Sequence, residues 1–127
     1  VTVVFINCKT APFIDLMMAG VKLDETRTRN TLRAVVGRRV FLAETGRRGG
    51  PLCRCSAVIG DPVIVRSRED WDRLRSRHCV PEGSRYDWTP DTKVKYLYPV
   101  YDVVPCWPFV PPEGVRHGYV WMESSDT

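Results

Sequence analysis

The sequence predicts an α+β domain, a small barrel of about five to seven strands flanked by two helices. Two patterns carry that prediction. Stretches rich in β-branched and aromatic residues are separated by short turns of Gly, Pro and Asp, and only two stretches space their apolar residues as a helix does. Strands joined by short turns, with only two helices among them, favour a small barrel over a doubly wound parallel sheet. At 127 residues the chain fits a single domain over 1–127, large enough to bury about two thirds of the surface its unfolded chain exposes.

Residues 1–7 are almost all β-branched or aromatic and read as a buried strand. Pro12 is suited to a first helical turn, Phe13, Ile14, Met17 and Met18 form an apolar stripe, and Gly20 is a natural stop, so the first helix lies between them. Residues 21–29 return as an extended segment, and Thr31 to Gly37 allows one helical turn. A strand over 39–45 follows, then a turn over 46–51 exposing Arg47 and Arg48, then a long strand or bulged pair over 52–65, interrupted at Gly60-Asp61-Pro62, where Pro62 lacks a ladder donor.

The second helix is expected over 67–78. Ser67 serves as its N-cap, Glu69 and Arg73 are spaced as an i,i+4 pair, and Trp71, Leu74 and His78 share one face, which makes His78 a packed, hydrogen-bonded side chain. Residues 80–91 read as a loop, 93–104 as an aromatic strand, 105–114 as a stiff proline loop and 115–122 as the last strand.

The net charge of +4 is unevenly placed. Between Arg27 and Arg54 stand eight arginines and one acid, Glu44, and this stretch carries +7 while 1–26, 55–91 and 92–127 each carry −1. Such a segment is what a footprint for phosphates would look like, and arginine suits it because its planar fork pairs with phosphate and stacks on bases. Five cysteines, an odd number in a chain of this length, predict reduced thiols in a cytoplasmic protein. Cys53, Cys55, Cys79 and His78 can be drawn as a zinc set, with Cys53 and Cys55 on one strand face, but paired Cys-x-x-Cys knuckles are missing, so no metal and no cofactor is expected. No secretory signal and no membrane partner is expected, since no charged and then apolar leader opens the sequence and no apolar run approaches a membrane span.

The most informative run is Lys9-Thr10-Ala11-Pro12-Phe13, followed by Gly20-Val21-Lys22-Leu23-Asp24-Glu25-Thr26-Arg27. A lysine after the first strand, a Pro-aromatic helix start and then G-x-K-x-x-E-x-R leading into a strand resemble the ASCH family of PUA-like barrels, over about the first quarter of the chain. On a regular strand Glu25 and Arg27 share a face and Lys22 points to the other, unless Lys22 stands in the turn before pleating begins. The resemblance implies that Lys22, Glu25 and Arg27 do converge in a cleft between helices and barrel, with Lys9 nearby.

Three functions follow as expectations. The first is an RNA- or nucleotide-binding module in which Lys22, Arg27 and the cluster from Arg38 to Arg48, including Arg47 and Arg48, meet phosphates, Lys9 and Glu44 also belong to the ligand site, Glu25 accepts from a base or ribose, and Trp88, Tyr98, Trp107 or Phe109 offers a stacking face. The second is a hydrolase. Some ASCH-family enzymes resemble amidohydrolases of acylated cytidine that use a lysine and a threonine of this region and a later glutamate, and others are nucleases. Lys22 fits the lysine, but Glu25 stands where the threonine would be, with Thr26 one residue off. Lys22 and Glu25 would then be the catalytic pair and Glu44 the later acid. The third is a protein-interaction module using the proline-aromatic loop, favoured if the arginines prove scattered.

Overall fold

A computed structural model describes residues 2–112 and 119–121. The chain runs β1 (Thr2–Asn7), α1 (Phe13–Met18), β2 (Asp24–Arg27), a single 3-10 turn (Arg33–Val35), β3 (Arg39–Thr45), β4 (Leu52–Ile59), β5 (Val63–Val65), α2 (Arg68–Arg73), α3 (Arg75–His78), β6 (Lys95–Phe109) and β7 (Tyr119–Trp121). The seven strands form one curled α+β sheet in the order β2-β6-β4-β3-β1-β7, with β5 also on β6. Among the described residues only β1 and β3 pair in parallel. Residues 115–118 and 122, expected in the last strand, lie outside the described residues.

The uninterrupted β-branched run of β1 is explained by burial on both faces. Val4 and Ile6 enter the larger core with Phe13, Ile14 and Met17 of α1, and Val3 and Phe5 enter a second one with Ala43 and Cys53. Gly60-Asp61-Pro62 interrupts β4 and β5 as expected. The amide of Gly60 donates to the Pro99 carbonyl (2.8 Å), so both strands follow one edge of β6, while β2 takes the other edge over Tyr96 to Pro99.

Four expectations are corrected. The prolines after Val104 do not end the strand, because β6 runs to Phe109 through Pro105 and Pro108. That half of β6 pairs with β4 but lies beyond the β2 pairing, and its other edge, which carries no ladder among the described residues, tolerates residues that lack a donor. Cys53 and Cys55 do not share a face. The register slips between them, a bulge that turns Cys53 into the smaller core and Cys55 into the larger. Burial raises their thiols to about 12 and about 11 respectively, and among the described residues no three His, Cys, Asp or Glu side chains are grouped to hold a metal. The second helix breaks at Leu74 into α2 and α3. Ser67 does cap α2, accepting from the Asp70 amide (3.2 Å), but Arg73 pairs with Asp70 (2.9 Å) one turn back instead of with Glu69. No helix among the described residues is long and apolar enough to cross a membrane.

Candidate functional site

Local chain geometry places Lys22 before the pleat starts. Gly20, at φ +74°, ends the first helix, and the amides of Val21 and Lys22 both fold back onto the Leu16 carbonyl (2.8 and 3.0 Å). Pleating begins two residues later at Asp24, so parity does not separate Lys22 from Glu25. The stem of Lys22 is buried to 2% exposure, its ammonium sits 4.6 Å from the centre of the Phe13 ring, and Nζ donates to the His78 carbonyl at the end of α3. Burial pushes its pKa down, and the Glu25 carboxylate opposes that shift.

The fork of Arg77 grips Asp24 (2.9 and 3.0 Å) and thereby holds α3, with its His78 carbonyl, against β2. Glu25 is buried and pairs with Arg27 (3.0 Å), whose guanidinium also donates to the Phe5 carbonyl across on β1 (2.8 Å). Lys22, Glu25 and Arg27 line a cleft of about 530 Å³ together with Phe13, Arg85 and Tyr86. Asn7 and Gly46 border it too. Gly46 must lack a side chain there: its φ is +75°, and a Cβ would sit 2.7 Å from Asn7 Oδ1 and 2.9 Å from the Lys9 amide.

Of the residues the sequence nominated, Lys22, Glu25 and Arg27 meet in this cleft. Lys9, Glu44, Arg47 and Arg48 do not line it. Lys9 is exposed, Glu44 is held by Arg54 (2.8 Å) and Arg47 (3.3 Å), and Arg47 turns onto the Gly50 carbonyl (3.0 Å). Nor do the arginines form one patch. Arg39 stands at the far end of β3 from Gly46, donating to Ser56 Oγ and the Asp102 carbonyl (3.0 and 2.9 Å), because a strand carries residues adjacent in sequence to opposite ends of a sheet. Among the proposed stacking residues, Tyr98 is buried and bonded to Asn30 (2.5 Å), Phe109 packs edge-on to Phe41 and Trp88 lies against Trp71. Trp107 alone of the four is open, at 92% exposure.

Arg85 and Tyr86 were missed because they belong to a loop whose position depends on remote partners. Asp87 anchors it, accepting from the Trp71 indole (2.7 Å), the Gly83 amide (2.8 Å) and Arg75 (3.1 Å). Burial alone would raise that carboxyl, yet these donors hold it well below the usual carboxylate range. Lys95, lying over the Trp71 ring, donates to the Tyr86 carbonyl (2.8 Å) and fixes the next residue.

His78 is, as expected, a packed residue. Its ring stacks on Trp71 at 3.8 Å, Nε2 donates to the Trp71 carbonyl (2.9 Å) and Nδ1 accepts from the Val80 amide (2.9 Å). A proton on Nδ1 would face another donor. Burial lowers its pKa to about 4. The folded value lies below the unfolded one, so between the two the unfolded chain binds the extra proton. Stability is therefore intact above about pH 6.5 and is expected to fall by about 3 kcal/mol as pH drops to about 4. Urea unfolding across that window checks this, with His78→Gln expected to flatten the decline.

Comparison with known proteins places the fold. No family model and no curated protein matches the chain. The crystal structure of ASCH from Zymomonas mobilis aligns with 98% of this chain and 89% of that one at a TM-score of 0.68 and 16% identity. Its serine-to-alanine and tyrosine-to-phenylalanine variants align with 96% of this chain, and with 87% and 89% of theirs, at 0.69 and 19% identity. The chain shares the fold of these ASCH structures, a curled α+β half-barrel, over nearly its whole length.

Proposed function

We propose that this ASCH-type module binds RNA or a nucleotide in the cleft of Lys22, Glu25 and Arg27, and that it works in the cytoplasm, on the cysteine argument above. The observation that carries the reading is the composition of that cleft. Its volume lies within the range of small-ligand sites. A buried ammonium and a carboxylate, suited to polar edges of a base or ribose, line it together with the aromatic rings of Phe13 and Tyr86. The spread of the arginines argues against an extended phosphate track and is the arrangement that favours protein interaction, so the nucleotide reading rests on the cleft itself and its ligand is a mononucleotide or a short single-stranded segment.

One observation favours chemistry as a second reading. Lys22 is buried beside Glu25 with its pKa lowered, the condition under which a lysine serves as a proton carrier. Thr26 also borders the cleft. Incubation with acylated and unmodified nucleosides and with short single-stranded RNAs separates the readings. Binding without turnover, weakening as salt rises, is the expected result. Turnover of an acylated nucleoside that vanishes in Lys22→Met would make the protein an amidohydrolase, and cleaved RNA would make it a nuclease. Binding of none of these ligands would leave the exposed Trp107 strand, and with it protein interaction, as the better account.

A further inference from the structure

The cations of the cleft are not equivalent. Lys22 is committed to the His78 carbonyl, and Arg27 to Glu25 and the Phe5 carbonyl. Arg85 borders the same cleft beside Tyr86, is exposed, and makes no hydrogen bond or ion pair with any described residue. Its one fixed contact is with a ring: the guanidinium lies 5.5 Å from the centre of the Tyr86 ring, which itself meets Phe13 edge-on at 6.4 Å. Stacking on an aromatic face orients the planar fork and leaves its N–H groups unspent. The loop is held just after Arg85, where the Tyr86 carbonyl accepts from Lys95 and the Asp87 carboxylate from Trp71 and the Gly83 amide.

We infer that Arg85 is the phosphate-recognising residue of the cleft, stacked on Tyr86, and that the ligand is a ribonucleotide presenting a phosphate to it rather than an uncharged nucleoside. This rests on the reading of the cleft as a nucleotide site and adds which group selects the ligand. With Arg27 neutralised by Glu25, Arg85 gives the cleft a positive charge that no described carboxylate pairs, and a neutral nucleoside leaves it unused. A phosphate accepts two parallel N–H bonds from the fork without displacing it from the ring. The phosphate belongs either to a free mononucleotide or to an RNA strand.

The test is calorimetric titration of wild type, Arg85→Gln and Arg85→Lys with ribonucleosides, the matching monophosphates and a short single-stranded RNA, each variant first checked for an unchanged melting temperature, as its exposure predicts. Wild type is expected to prefer a monophosphate or the RNA over the nucleoside by roughly ten- to a hundredfold, the preference to vanish in Arg85→Gln, and part of it to survive in Arg85→Lys. A response confined to the RNA would identify a strand as the source of the phosphate. A preference that persists in Arg85→Gln, or nucleosides binding wild type as tightly as monophosphates and RNA do, overturns the role of Arg85 alone. Failure of wild type to bind any of the three overturns the nucleotide reading as well.

Discussion

Asp87→Ala is expected to cost about 3–5 kcal/mol of folding free energy, the scale for removing one partner of a buried, charge-assisted network. The substitution strands the Trp71 indole N–H and the Gly83 amide and leaves Arg75 without one of its two carboxylates. Trp71 is wholly buried and stacked on His78, so the disturbance reaches the carbonyl that holds Lys22. The midpoint of urea unfolding should fall accordingly, and nucleotide affinity should fall with it because Arg85 and Tyr86 lose their anchor. A change within about 0.5 kcal/mol, typical of a surface site, would contradict the network.

Lys22 separates structure from binding less cleanly than the sequence suggests. The family resemblance implies a cleft residue that can be truncated without unfolding, whereas the side chain is 2% exposed, packed on Phe13 and bonded to His78. Lys22→Ala removes that packing and orphans a carbonyl, an expected loss of about 2–4 kcal/mol. Lys22→Met keeps the volume of the stem and orphans only the carbonyl, for about 1–3 kcal/mol. Both should abolish ligand binding. Binding that survives in a folded Lys22→Met would remove Lys22 from the site, and a smaller stability loss in Lys22→Ala than in Lys22→Met would remove it from the core.

What the sequence made legible was local. The β-branched and aromatic run of β1 and the Pro-aromatic start and Gly20 stop of α1 each follow from a few neighbouring residues, and the family resemblance carried by Lys22 to Arg27 pointed to part of the cleft lining. The rest of the lining was illegible because nothing near Arg85 says where residues 83–87 go. That depends on an indole 16 residues from Asp87 and an ammonium nine residues from Tyr86. The charge cluster misled for the same reason in reverse, since adjacency between Arg27 and Arg54 in the chain becomes separation along β3 and β4. The extent of β6 was hidden by its prolines, whose strand-breaking force applies to paired edges and not to an open one.

The most direct test of the ligand cleft is an amide chemical-shift titration of isotope-labelled protein with ribonucleoside monophosphates and a short single-stranded RNA. The account predicts shifts concentrated at Phe13, Lys22 to Arg27, Arg85 and Tyr86, around one cleft. Shifts confined to the exposed stretch around Trp107, or none with any of these ligands, would contradict it.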